Sequence, residues 1–198
     1  MKYIFTALSL SIFTSMMAQE PDYVAYKKAL PVISADGKIK TTDGKTVIIE
    51  GFKDSNRVIF FLVRHAEKDT SGGTNADLNG IGRGRAEALV NMFKKIRIHG
   101  IYSTDKPRTR HTGEPLAKQK RRPVEIYDAN KQADLAEILS KRIGKRYFIV
   151  GHSNTIPKFV DILRGSVLEK DLPDNEYSRL YIVSVKTLGE ATVYVINF

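Results

Sequence analysis

Four polar strings in this chain each follow a short apolar run, and together they carry side chains suited to phosphoryl chemistry. Arg64-His65-Ala66-Glu67-Lys68 follows VIFFLV (58–63). Thr104, Asp105 and then Arg108 follow GIYS (100–103), and Asp128 follows VEIY (124–127). Gly151-His152-Ser153-Asn154-Thr155 follows YFIV (147–150). The guanidinium groups of Arg64 and Arg108 can hold phosphate oxygens bidentately and keep their charge at any working pH. A neutral imidazole can attack phosphorus and pass the phosphoryl group to water. A second imidazole can hydrogen-bond a non-bridging oxygen where transition-state charge builds. A helix opening near Asn154–Thr155 adds free backbone N–H groups and a positive dipole end. The leaving oxygen needs a proton, so a carboxyl group belongs nearby.

Several of these residues also have plainer readings. His99 and His111 stand outside the strings and read as structural or exposed. Glu67 fits either an orienting partner of Arg64 or a proton donor. Asp128 fits either a helix cap or the acid, and the sequence leaves both open. Four His without an HExxH pattern or clustered carboxylates give no expectation of a catalytic metal, and no cofactor is expected. The absence of Cys excludes a disulfide framework, thiolate zinc sites, iron–sulfur clusters and a cysteine nucleophile.

The elements that must position these strings follow from periodicity. VIFFLV is a continuous apolar run, as expected for a strand buried on both faces. Apolar residues at 86, 89, 90, 93 and 96 predict a helix over 82–97, and Leu135, Ile138, Leu139 and Ile143 predict another over 133–143. A third helix is expected over 108–118, with Pro115 interrupting or bending it. A short fourth is expected over 156–163, with Pro157 in its tolerated first turn. Residues 179–185 and 191–197 read as a closing strand pair. Strands alternating with helices predict an α/β fold: a three-layer α/β/α sandwich with a mostly parallel central sheet. Ligands in such sheets bind beyond the carboxyl ends of the strands, which is where the four strings fall.

The chain has 198 residues, ample for one domain with a full core. Met1–Lys2 followed by an uncharged stretch to Met17, then Ala18-Gln19 and acidic residues, is the pattern of an export signal over 1–18. The stretch is shorter than a membrane span and diluted by Ser and Thr. A periplasmic or secreted protein is therefore expected, with no span left after cleavage. Residues 19–57 form an extension in which Asp36-Gly37 and Asp43-Gly44 favour tight turns between short strands at 32–34, 38–41 and 47–50. Residues 58–198 form the main domain. Loss of Lys2 on cleavage takes the net charge from +10 to +9. That balance suits a phosphorylated substrate and weak association with anionic envelope surfaces. The basic cluster Lys118–Arg122 lacks interleaved aromatics, so no nucleic-acid partner is expected.

At these strings the sequence resembles the histidine phosphatase superfamily, also called the phosphoglycerate mutase-like fold. LVRHAEK (62–68) resembles its nucleophile motif, and VGHSNT (150–155) its second-histidine motif. LNGIGRGRAEAL (78–89) resembles the family's Leu-Thr-x-x-Gly-x-x-Arg-Ala segment, with Asn79 in place of Thr. IYSTDKPRTRHT (101–112) keeps Ser103, Arg108 and Thr112 of a further segment and departs at Thr104, Asp105 and His111. The resemblance implies that His65 is the phosphorylated nucleophile, with Arg64, Arg108 and His152 completing the phosphate pocket. Ser153 and Asn154 are expected to add phosphate contacts. The acid phosphatase branch follows its second His with Asp, and here Ser153 stands in that place. Asp128 lies roughly where the mutase branch carries a Glu. The function this implies is an exported, metal-independent phosphatase acting on phosphomonoesters through a phosphohistidine. The alternatives are a non-catalytic phosphate or polyanion binder of the same fold and, further off, a mutase-type phosphotransferase.

Overall fold

The computed structural model describes residues 30–54 and 56–198, so the export signal read over 1–18 lies outside the described residues. The elements run β1 (Lys38–Lys40), β2 (Thr46–Ile48), β3 (Val58–Arg64), α1 (Gly80–Phe93), β4 (Gly100–Ser103), α2 (Pro107–Lys120), β5 (Val124–Ile126), α3 (Gln132–Ser140), β6 (Arg146–Gly151), α4 (Thr155–Arg164), β7 (Arg179–Thr187) and β8 (Glu190–Asn197). Short 3-10 turns at Thr70–Asn75 and Ala129–Lys131 precede α1 and α3. The central sheet has the order β5-β4-β6-β3-β7-β8. β3, β4, β5 and β6 are mutually parallel, and β7 alone runs against its neighbours.

All of β3 is buried, as its unbroken apolar run requires. Its side chains alternate between two cores. Ile59, Phe61 and Val63 face a cluster that includes Leu89, Met92 and Phe93 of α1 and Leu116 of α2. Phe60 and Leu62 face Leu139 of α3 and Phe159, Val160 and Leu163 of α4. Each such side chain contributes about 1.5–3 kcal/mol on burial. The result is the three-layer α/β/α arrangement the periodicity predicts. β1 and β2 pair antiparallel across the Asp43-Gly44 turn. Ile33, Ile39, Ile49 and Phe52 of this region enter the α1–α2 core, and the Ile33 N–H donates to the Met92 carbonyl at 3.0 Å.

Pro115 does not interrupt its helix. α2 runs unbroken through it. The proline removes one helical N–H, but burial of Thr112, Gly113, Leu116 and Ala117 holds the helix on the sheet.

The loop after β3 is tied to three elements at once. His65 N–H donates to the Gly151 carbonyl at 2.9 Å, which locks it to β6. Ala66 N–H donates to Thr112 Oγ1 at 2.9 Å, and the Thr112 hydroxyl donates to the Arg108 carbonyl at 2.7 Å. On the third side, Asn79 N–H donates to the Glu67 carbonyl at 3.0 Å, and Asn79 Oδ1 caps α1 by accepting from Gly82 N–H at 2.9 Å. Gly82 then lies directly against this loop: a Cβ there would sit 2.1 Å from the Glu67 carbonyl oxygen. Neither side is a flexible side chain, so neither can yield. Gly82→Ala should therefore destabilise the fold by about 1–3 kcal/mol despite alanine's better helix propensity. Thermal unfolding measures it, and an unchanged or raised Tm would show that the helix start is not packed on the loop.

Candidate active site

The parallel strands deliver the predicted residues to one crevice. His65 leaves β3, and His152 leaves β6 beside it, with ring centroids 5.6 Å apart. His65 is 4% exposed. Its Nδ1 lies 2.8 Å from the Ala66 carbonyl, which can only accept. The Nδ1 therefore carries the proton, and Nε2 keeps its lone pair. Burial first, then the Arg64, Arg108 and His152 charges, push the imidazole down to about 3, against the opposing Ala66 hydrogen bond. Burial, with Arg108, Arg64 and Lys106, likewise pushes His152 down to about 4.

The tautomer of His152 follows from a chain of hydroxyls. Thr109 Oγ1 lies 2.8 Å from the Thr104 carbonyl and 2.9 Å from the Lys106 carbonyl, and it must donate to one of them. It can then only accept from the Thr104 hydroxyl, 3.0 Å away. Thr104 in turn accepts from His152 Nε2–H at 2.9 Å. The His152 backbone N–H donates to Thr155 Oγ1 at 2.8 Å, which fixes the residue at the head of α4. Thr104 and Thr109 are thus positioning residues for the second imidazole.

The two arginines are held by carbonyl dipoles. Arg64 Nη1 donates to the carbonyls of Pro173, Asp174 and Glu176 at 2.8, 3.1 and 3.1 Å. Arg108 Nη1 donates to the Thr74 carbonyl at 2.9 Å. The Nε of both is buried without a partner among the described residues. Arg146, Arg164 and Arg179 share that feature elsewhere, so the distinguishing property is the shared influence of Arg64 and Arg108 on both imidazoles.

Other expected residues take different places. Glu67 does not orient Arg64. Both of its oxygens accept from Arg85 at 2.6–3.1 Å, and Arg85 also donates to the Phe198 carbonyl at 3.0 Å. Asp128 caps the 3-10 turn, one oxygen accepting from Asn130 N–H at 2.8 Å. It also lines a cavity of about 380 Å³ together with Thr104, Asp105, Lys106 and His152. The cap reading is thus observed, and the acid reading stays sterically open. Ser153 and Asn154 sit between His152 and α4, and Asn154 makes no side-chain cap bond. His111 bonds Asp77 at 2.5 Å and has no place in the pocket.

One residue escaped the sequence reading. Tyr177 comes from the irregular segment between α4 and β7. Its ring centroid lies 6.0 Å from that of His65 and 4.3 Å from the Arg64 guanidinium carbon. It adds an aromatic wall and a cation–π contact to Arg64. No local pattern marks it; only the return of the chain across the strand ends brings it in.

Two predictions follow from this geometry. In an NMR titration, His65 and His152 should stay neutral from pH 8 to about 5, with midpoints near 3 and 4. The unfolded chain takes up the same protons near 6.5, so these two residues remove stability as pH falls from about 6.5 toward 4. A His65 midpoint near 6.5 would contradict the buried, cation-flanked environment. Separately, Thr104→Val should lower kcat toward an aryl phosphate by about tenfold with KM little changed, and Thr104→Ser should restore it. A loss that Ser does not rescue would mean that Thr104 serves packing alone.

Residues 60–138 match the family described as the histidine phosphatase superfamily (branch 1). No curated protein matches the chain. Among solved structures, the chain is similar to the protein histidine phosphatase SixA complexed with tungstate, at 16% identity over 70% of this chain and 96% of that one, with a TM-score of 0.58. It is similar to phosphoserine phosphatase from Entamoeba histolytica at 14% identity, over 71% of this chain and 97% of that one, with a TM-score of 0.56. A mycobacterial glucosyl-3-phosphoglycerate phosphatase is similar at 14% identity, over 71% of this chain and 99% of that one, with a TM-score of 0.54. At these identities the likeness is one of fold. The matched segment holds the Arg64-His65 string, the head of α1 and the Arg108–Thr112 string, and the fold around it is the one seen in these phosphatase structures.

Proposed function

We propose that the chain is an exported phosphatase that hydrolyses phosphomonoesters through a phosphohistidine on His65. The observation that carries this reading is the Nδ1–H bond from His65 to the Ala66 carbonyl, which leaves Nε2 unprotonated in the field of Arg64 and Arg108. Nε2 attacks phosphorus as the P–O ester bond breaks. Arg64 and Arg108 hold the non-bridging oxygens, His152 joins them when its Nε2–H turns from Thr104 to the bound phosphate, and Ser153 and Asn154 border them at the head of α4. The leaving oxygen takes the electron pair and a proton from Asp128. Water then adds to phosphorus, its proton goes to the Asp128 carboxylate, and the P–N bond breaks to return the electron pair to His65. The positive charge in this scheme comes from arginine, so no metal is assigned to it. Export rests on the pattern over 1–18.

His65→Ala should abolish phosphate release from p-nitrophenyl phosphate, and acid-quenched native enzyme should carry phosphate on His65. Full activity in the variant would sink the mechanism. Binding without turnover across a phosphomonoester panel would instead assign the pocket to a non-catalytic binder. EDTA should leave the rate unchanged, and the exported chain should begin at Gln19 by N-terminal sequencing. A chain that still starts at Met1 would remove the export reading.

A second reading concerns the leaving group. The Asp128 cap and the Glu67–Arg85 pair leave little carboxylate free for acid catalysis, which favours substrates whose leaving group needs little protonation. Asp128→Asn should cost on the order of 10²-fold on an alkyl phosphate and much less on an aryl phosphate. Equal losses on both, or none on either, would remove Asp128 as the donor.

A further inference from the structure

The strands that build the crevice also build a second cavity at their opposite ends. Arg97 and His99 precede β4, Arg122 precedes β5, and Arg142 and Lys145 precede β6. These residues line a cavity of about 340 Å³ together with Tyr102, Glu125 and Tyr147. Four permanent cations therefore face one carboxylate. None of the four forms an ion pair among the described residues, whereas Arg57, Arg83, Arg110, Arg164 and Lys141 elsewhere each find one. Of the basic cluster Lys118–Arg122, Arg122 lines this cavity. Arg121 ends α2 in the left-handed conformation, and Lys120 Nζ donates to the Phe93 carbonyl at 2.8 Å, so the ends of α1 and α2 converge here.

His99 adds a neutral donor. Its Nδ1 accepts from Arg146 N–H at 3.0 Å, which leaves the ring proton on Nε2. Burial and the surrounding Arg97, Lys145, Arg146 and Arg122 charges hold it down to about 4. Burial and Glu125 push the Tyr102 hydroxyl up to about 12, so it stays a donor.

We infer that this cavity binds a soluble anion carrying two or more linked phosphate groups, at a site separate from the His65 crevice. All four cations are exposed, so water and salt screen part of their mutual repulsion, and a multivalent counter-anion seated among them relieves more of it. With Glu125 the lining carries a net charge of about +3; a single phosphate group, at about −1.5 to −2, leaves about a third to a half of it uncompensated, while two linked groups match it.

Titration calorimetry of the full chain with methylenediphosphonate, which cannot be hydrolysed, tests the site. Two binding events are expected. Arg122→Ala/Arg142→Ala should weaken one of them by about tenfold or more and leave p-nitrophenyl phosphate hydrolysis unchanged. A single event, or a second event that survives the double variant, overturns the inference. So does equal weakening by Lys94→Ala/Lys95→Ala, because the effect is then only the diffuse field of that end of the molecule. Vesicles of anionic phospholipid form the last arm. Vesicle binding that depends on Arg122 and Arg142, with no diphosphonate event, would assign the cluster to a membrane surface and overturn the soluble-anion site.

Discussion

Two guanidinium groups share a largely buried crevice with two imidazoles, with no carboxylate of the described residues hydrogen-bonded to them, and the rest of the site depends on that constraint. Pairing Arg64 with a buried acid would settle its charge and close the pocket to an anion. The fold instead uses the carbonyl dipoles of Pro173, Asp174 and Glu176, with Asp174 carboxylate at 3.9 Å and fully exposed. Dipoles orient a cation without neutralising it. The uncancelled charge then depresses both imidazoles, so that one can act as a nucleophile and the other as a hydrogen-bond donor.

Such an arrangement stores repulsion, and the scaffold must resist it. The central strand supplies the rigidity, since β3 is buried along its whole length between two apolar layers. The loop that leaves it is pinned to β6, to α2 through Thr112 and to α1 through Asn79. On the loop side each anchor is a backbone group, which fixes the imidazole more tightly than side-chain packing would. Glu67, two residues after His65, is held instead by the fork of Arg85.

The segment between α4 and β7 has a double role. Its carbonyls orient Arg64 and its Tyr177 ring walls the crevice. It has no regular secondary structure of its own. Leu172 anchors it, buried in the α3–α4 core, with its N–H donating to the Ser153 carbonyl at 2.9 Å. Specificity for whatever carries the phosphate therefore has a natural origin there, in an irregular segment laid over a rigid sheet.

Local pattern was enough for the elements and for the residues at strand ends. Continuous apolar runs mark β3 and β6, because a strand buried on both faces has no polar positions to spare. The parallel order of such strands puts the following residues on one side, so Arg64, His65, Arg108, Asp128 and His152 could be gathered from the sequence alone. What pattern could not supply was partnership. That Glu67 belongs to Arg85, that Thr109 and Thr104 set the tautomer of His152, and that Tyr177 joins the pocket all depend on segments distant in sequence meeting in space. The continuation of α2 through Pro115 and the gathering of Arg97, Arg122, Arg142 and Lys145 have the same origin. Periodicity records which face of an element is buried; tertiary packing decides what it is buried against, and so which charges are cancelled and which stay free to act.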